Sequence, residues 1–317
     1  MLKIHFFNVA EGDSILLEYL EGKSPFRILI DTGRQFFPES KDSLRHRASE
    51  YLQAMDITYI DALVITHLHV DHIENLPEIL KLVRVGSIYS TFFPSDFSFR
   101  IPPIKSENDG VRELGDDLII LAASLQIAEI SETKLVLLKD DTYVPMENQY
   151  GSILLRLPMM NSLEGQNIVF DMLCRNKTIP EEILYWASES RNPNSLRLTI
   201  KYAGRTVILD GDYYACYAEK EVQEKCDILK VGHHGDRKSM TPKLAKMLSP
   251  KFAVISCKRE YDLKKDRPSK FVADSLREVG AEVYYTDCFE EVGRTVAYHK
   301  EVLFIIEQDG TIIPPNN

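Results

Sequence analysis

The stretch that decides the fold is Ile60-Asp61-Ala62-Leu63-Val64-Ile65-Thr66-His67-Leu68-His69-Val70-Asp71-His72. Residues 60–66 form a compact apolar run, the pattern of a strand buried on both faces. The run empties without a linker into the polar loop, and residues 73–83 beyond it have helical spacing. Strand alternation puts His67, His69 and Asp71 on one side of the extended segment, while His72 turns inward as the helix begins. Two imidazoles and a carboxylate at this spacing can hold a borderline divalent metal, and the adjacent imidazole offers a ligand to a second ion. The chain has eight histidines, so three of them inside one short loop is a concentration that a solvated surface loop does not require.

Upstream, residues 2–9 and 14–19 read as strands around the turn Glu11-Gly12-Asp13, and residues 26–30 read as a strand ending at Asp31-Thr32-Gly33. Residues 42–55 carry Leu44, Ala48, Tyr51, Leu52 and Met55 on one helical face. Residues 95–192 have the weakest periodicity; they are expected to give strands that finish the first sheet, loops, and a helix over 180–188. Further on, residues 195–202 and 206–209 flank Ala203-Gly204-Arg205, a hairpin signal. Strands are expected over 226–231, 252–256 and 282–286, with a helix over 268–279. β-rich and helical segments alternate in both halves with no low-complexity linker between them. The pattern predicts an α/β (α+β) protein of four αββα layers, two packed sheets with helices outside, in one domain over 1–317 with a less typical region at 95–190.

Composition narrows the class. Hydrophobic residues make up 44% and charged residues 27% of the chain, which is the profile of a globular protein with a sizeable core. Residues 118–128 form the best apolar stretch, shorter than the roughly 20 residues a membrane span needs, so no membrane partner is expected. The opening MLKIHFFNVAEGD reads as a first strand rather than a signal peptide. Five scattered cysteines without a CxxC pair exclude a disulfide scaffold or a thiolate zinc knot and fit a reducing, cytoplasmic setting. The net charge of −10 argues against non-specific nucleic-acid coating and leaves room for a local basic site.

Two later segments supply what a two-metal site still lacks. Leu209-Asp210-Gly211-Asp212 closes a strand, so a carboxylate at the sheet edge can bridge two ions, and Val231-Gly232-His233-His234-Gly235 closes the next strand with a further imidazole. Taken in series, HxHxDH, GD and HHG resemble the metallo-β-lactamase-fold hydrolases. Finer details are similar to the hydrolase domain of the ComEC DNA-uptake proteins and their soluble relatives: Asn8-Val9-Ala10-Glu11-Gly12-Asp13-Ser14, Asp31-Thr32-Gly33, Asn194-Ser195-Leu196 and Asp227-Ile228-Leu229-Lys230-Val231-Gly232-His233-His234-Gly235. The resemblance is weak over 95–190. The membrane channel of those proteins has no counterpart here, so DNA transport is not implied.

The resemblance implies two divalent ions, zinc or alternatively manganese. It puts His67 and His69 on the first, Asp71 and His72 on the second, and Asp212 between them, with Asp71 and Asp212 the catalytic carboxylates. His233, in preference to its neighbour His234, completes the second ion. Asp31 supports the histidine loop from behind. Asn194 stands where the wider superfamily places a third histidine on the first ion, and an amide oxygen there is a harder ligand, compatible with manganese.

Arg267, Lys264 and Lys265 belong to a basic run, Lys258 to Lys270, expected to rim the site and grip an anionic substrate such as DNA or RNA. The expected activity is hydrolysis of phosphate esters by a metal-bridged hydroxide, as a phosphodiesterase or nuclease acting on nucleic acid or nucleotides. Hydrolysis of a carboxylic ester, thioester or lactam on the same site is the alternative, and a non-enzymatic metal-stabilised binding protein is a third. Gly-x-Ser-x-Gly is absent and no cysteine adjoins a candidate histidine, which disfavours Ser or Cys catalysis.

Overall fold

The computed structural model describes the chain apart from residues 23, 37–43, 97–99, 102, 147–150, 160–161, 222–223, 259–265, 288–289, 292–293, 296–300 and 316–317. Its larger sheet has eight strands, in the order Ile312–Ile313, Glu301–Ile306, Leu2–Phe7, Ile15–Tyr19, Phe26–Ile30, Tyr59–Val64, Arg84–Ser90 and Lys134–Leu137. The second sheet has seven, in the order Glu282–Tyr285, Phe252–Ile255, Ile228–Lys230, Arg205–Asp210, Arg197–Tyr202, Gly151–Arg156 and Thr142–Tyr143. Each sheet is antiparallel on one side and parallel on the other; the parallel part runs from Phe26–Ile30 to Lys134–Leu137 in the first and from Arg205–Asp210 to Glu282–Tyr285 in the second.

The side-chain period of two sorts each strand between two cores. Ala62 and Val64 join Ile28, Ile30, Leu198, Val207, Leu209 and Phe252 in the core between the sheets. Leu63 and Leu29 face outward onto the helices Ala48–Ala54, Leu76–Leu82 and Asp109–Ile130. Across the molecule, Ile208, Leu229, Ala253 and Ile255 face the helices Ala215–Glu221, Pro242–Leu248 and Lys270–Arg277. Four layers, helices–sheet–sheet–helices, follow from strands that are apolar on both faces.

Two expectations need correction. Strands Gly151–Arg156 and Thr142–Tyr143 extend the second sheet, not the first, because Gly151–Arg156 pairs along its whole length with Arg197–Tyr202. Only Lys134–Leu137 finishes the first sheet. The same region also holds two unanticipated helices, Asp109–Ile130 and Ser162–Cys174, beside the expected one at Glu181–Glu189. The long helix starts at Asn108, whose side chain accepts the Val111 amide N–H at 3.1 Å, a strong N-cap. Among the described residues no helix is long and apolar enough to cross a membrane, and Cys174, Cys216, Cys226 and Cys257 are free thiols.

Loops at the carboxyl ends of both parallel runs come together, the usual place for a site in such sheets. The Leu196 N–H donates to the Thr66 carbonyl at 3.0 Å, tying the second sheet to the histidine loop of the first. Leu198 lies fully buried between the sheets. Leu198→Ala is expected to cost about 2–5 kcal/mol, read from the denaturant midpoint; a change within 0.5 kcal/mol would mean the sheets do not pack as described.

Candidate metal centre

The strand Tyr59–Val64 delivers His67 and His69, the one-turn helix Val70–Ile73 delivers Asp71 and His72, and the strand Arg205–Asp210 delivers Asp212. Asp212 is the centre of the group. Its Oδ1 lies 3.3 Å from His72 Nε2 and 3.4 Å from His234 Nε2, and its Oδ2 lies 3.6 Å from His67 Nε2 and 3.7 Å from His233 Nε2. His67 Nε2 is 2.8 Å from His69 Nδ1. Among the described residues four overlapping candidate ligand groups result; His67–His69–Asp212 and Asp71–His72–His234 are the two that share no residue and leave out Asp13, the others being Asp13–Asp212–His234 and Asp13–Asp31–His72.

Supporting contacts fix these side chains from behind. Asp31 Oδ2 lies 2.7 Å from His72 Nδ1, and Asp31 accepts the Thr66 backbone N–H at 2.8 Å and the Thr66 hydroxyl at 2.7 Å. That is a carboxylate orienting a ligand imidazole while bracing the loop that carries the others. Ser195 Oγ accepts the Asp212 backbone N–H at 2.9 Å and lies 3.3 Å from His67 Nδ1. Gly12 is needed because its φ is +116° and a Cβ there would stand 2.0 Å from the Asp71 carbonyl oxygen. The glycine turn therefore seats directly on the backbone of the metal loop.

The structure separates the adjacent histidines, and the ring packed deepest is that of His234 rather than the expected His233. His233 and His234 both have positive φ, 43° and 53°, a conformation uncommon for residues other than glycine. This sharp turn sends their rings to different places. His234 Nε2 lies 3.2 Å from Asp71 Oδ2 and the ring is buried, whereas His233 stands at the cavity wall with Nε2 3.1 Å from Asn192 Nδ2. Proximity to the strand end does not decide which imidazole turns inward.

Asn194 is also placed differently from the expectation. Its Oδ1 accepts the Ser162 hydroxyl at 2.8 Å and its Nδ2 donates to Gln166 Oε1 at 3.0 Å. The amide at the cavity belongs to Asn192, which donates to the Tyr214 hydroxyl at 3.2 Å and keeps a buried Oδ1 without a partner. Arg267 is buried in the cavity wall and ion-paired with Glu11, which also holds Lys258 at 3.0 Å. Lys264 and Lys265 lie outside the described residues.

Sequence reading missed Asp13 and Lys230. Asp13 stands 3.8 Å from His234 Nδ1 and 3.9 Å from His72 Nδ1, behind the second ligand set. Lys230, fully buried, pairs with Asp13 and donates to the Gly211 carbonyl at 3.1 Å. A lysine inside the otherwise apolar strand before the HHG turn was the available signal. Arg191 was missed too; it pairs with Asp117 and donates to the Leu68 carbonyl at 3.3 Å, clamping the loop between His67 and His69.

Electrostatics agree with a cation-binding role. Burial holds His67 and His69 well below the ordinary imidazole value, with neighbouring His72 adding to this for His67 and Arg191 for His69, so both rings are in the neutral, ligating form. Burial also opposes charge on His72, but Asp212 and Asp31 outweigh it and hold that ring well above its ordinary value. Burial would raise Asp71 and Asp212, yet the surrounding imidazoles hold both well below the carboxylate range.

The residues present fit divalent-cation binding. His72 Nε2, His234 Nε2 and Asp212 Oδ1 are all buried with no hydrogen-bond partner, and the two ring nitrogens lie 3.3 and 3.4 Å from that carboxylate oxygen. Buried polar atoms without partners are costly, and a cation shared by these atoms removes that cost.

Residues 13–92 match the family model of the metallo-beta-lactamase superfamily, which is generally hydrolytic. The chain is 26% identical over 268 residues to ComE operon protein 3 of Bacillus subtilis (strain 168), covering 80% of this chain and 28% of that protein. It thus spans little more than a quarter of that relative's length. Among solved structures it is similar to the metallo-beta-lactamase fold protein YhfI of Bacillus subtilis, with 11% identity, a TM-score of 0.49, and coverage of 90% of this chain and 95% of that one. It is also similar to a diphosphatase from the PhnP family, with 12% identity, a TM-score of 0.44, and coverage of 90% and 84%.

Elemental analysis of the zinc- or manganese-saturated protein should give two ions per chain, falling to about one in His234→Ala and staying at two in His233→Ala. Loss of an ion in His233→Ala with two retained in His234→Ala would reverse the assignment. Because His72 is held protonated without metal and must be neutral to ligate, metal binding should release a proton and tighten as pH rises. Calorimetry in buffers of different ionisation enthalpy checks this; no buffer dependence would contradict it.

Proposed function

We propose that this metallo-β-lactamase-fold chain is a dinuclear metal-dependent hydrolase of phosphate esters, of the phosphodiesterase class. The observation that carries the reading is the lining of the cavity over the two ligand sets. It encloses about 540 Å³, with His69, Asp71, Asp212 and His233 on the metal side, Arg34 and the Glu11-paired Lys258 and Arg267 along one wall, and Asp109, Glu113 and Glu189 also among the lining residues. Val70 is the one aliphatic side chain among the described lining residues. An acyl substrate would need an apolar wall to hold its carbon chain, so the lining favours an anionic ester over a carboxylic ester, thioester or lactam.

Two bound divalent ions would supply Lewis acidity and a water that ionises near neutral pH. This chain's residues do the rest. Asp212 is the carboxylate shared between the two sets, and Asp71 belongs to the second. Asp31 fixes the His72 ring through its Nδ1, and the Asp13 carboxylate lies behind His72 and His234. Tyr214 and Asn192 hold His233 at the wall. None of the described cysteines lines the cavity, and a metal-activated water needs no nucleophilic side chain.

The test is a screen of metal-reconstituted protein against bis(p-nitrophenyl) phosphate, cyclic nucleotides, short DNA and RNA, and p-nitrophenyl acyl esters. Phosphodiester turnover is expected, lost on chelation and restored by zinc or manganese. Loss of a supporting group around a metal typically costs 10- to 100-fold, so Asp212→Ala should lose at least about 100-fold while remaining folded. Ready cleavage of acyl esters with every phosphodiester left intact would overturn the reading.

A further inference from the structure

The cations around the cavity are not equivalent. Arg267 and Lys258 share the carboxylate of Glu11, and Arg191 is spent on Asp117 and on the Leu68 and Gly110 carbonyls. Arg34 differs. It follows Asp31-Thr32-Gly33 at the end of the strand Phe26–Ile30 and lines the same cavity as His69, Asp71 and Asp212. Among the described residues its guanidinium has no hydrogen-bond or ion-pair partner, and its Nε is buried and unsatisfied. A forked donor held this way beside a cation-binding centre is suited to take two oxygens of one anion. Its backbone is anchored on both sides, because the Thr32 N–H donates to the His72 carbonyl at 2.7 Å and the Gln35 N–H to Glu74 at 3.0 Å. The position of Arg34 is thus tied to the helix that carries Asp71 and His72.

Part of the cavity has the opposite sign. Asp109 and Glu113 come from the start of helix Asp109–Ile130, and Glu189 from the end of helix Glu181–Glu189. Arg191 joins these two helix ends by donating to the Gly110 carbonyl at 3.1 Å. Glu113 and Glu189 have no cationic partner among the described residues. A nucleic-acid strand laid across this mouth would set successive phosphates against unpaired carboxylates, whereas strand binding draws its strength from several neutralised phosphates.

Resting on the phosphate-ester reading above, we propose that Arg34 is the substrate's anion-binding residue and that the substrate is a small ester with a single phosphoryl group, not a polynucleotide. Arg34 binds the non-bridging oxygens and holds the ester over the two ligand sets. The carboxylate side accommodates the neutral or cationic remainder of the molecule.

Inorganic phosphate is the probe, titrated calorimetrically into zinc-loaded wild type, Arg34→Met and Arg34→Lys with metal content measured in each. Phosphate affinity should fall about 10- to 100-fold in Arg34→Met, the range for losing a hydrogen bond to a charged group, and recover in part in Arg34→Lys. Two ions should remain in both variants, and for a small phosphodiester the change should appear in KM more than in kcat. Unchanged phosphate affinity in Arg34→Met, or a lost ion in both variants, would overturn the role given to Arg34. In the polymer arm, a single-stranded 20-mer should bind no more tightly than a dinucleotide. Binding of the 20-mer tenfold tighter or more, with affinity falling steeply as salt rises, would overturn the small-substrate half. The phosphate titration needs no turnover, so a wild type that hydrolyses no phosphodiester counts against the hydrolase reading and not against the Arg34 assignment.

Discussion

Everything in this molecule is arranged around one buried carboxylate. Asp212 is 2% exposed and faces four imidazole nitrogens, two on each oxygen, at 3.3 to 3.7 Å. An isolated carboxylate at such depth would cost several kcal/mol of lost solvation. It is tolerable only where surrounding donors and cations make up the deficit. The constraint explains why the contributing chain segments are so exacting. The Asp212 amide is tied to Ser195, and a Cβ on Gly211 would stand 2.0 Å from the same Ser195 oxygen.

A second layer of charge lies beneath the first. Asp31 braces His72 and the Thr66 loop together, and Asp13 lies behind both His72 and His234. Lys230 balances Asp13 with a fixed cation and holds the Gly211 carbonyl one residue before Asp212. Acid, base and backbone are thereby coupled, so a change to Lys230 or Asp13 acts on Asp212 without touching it. The glycine turn at Gly12 adds a steric link, since it seats on the Asp71 backbone. The loops that carry the candidate ligands are braced by the protein's own contacts.

Much of this was legible in the sequence because it was written in local patterns. The apolar run 60–66 gave a doubly buried strand, and the spacing of His67, His69, Asp71 and His72 gave a ligand loop at its end. The Gly211-Asp212 and HHG turns gave the complementary loops of the second sheet. What was not legible depended on long-range pairing or on backbone hand. Periodicity cannot tell which sheet accepts Gly151–Arg156, since that is decided by its register with Arg197–Tyr202. Nor can it show that consecutive left-handed residues would turn His234 inward and leave His233 at the wall. Asn194 and Asn192 are separated by two positions, and only the loop geometry shows which amide reaches the cavity. Arg267 was read as a free cation because its partner Glu11 is distant in sequence. The unspent guanidinium, Arg34, sits in a turn with no basic neighbours to draw attention to it.

On the proposed reading one carboxylate, Asp212, joins two metal positions into a single centre. Electron paramagnetic resonance of the protein loaded with two manganese ions tests it most directly, because ions sharing a bridge are magnetically coupled and separate ions are not. The wild type should give a coupled multiline spectrum that reverts to the six-line signal of isolated manganese in Asp212→Ala. Isolated six-line signals from a doubly loaded wild type would contradict it.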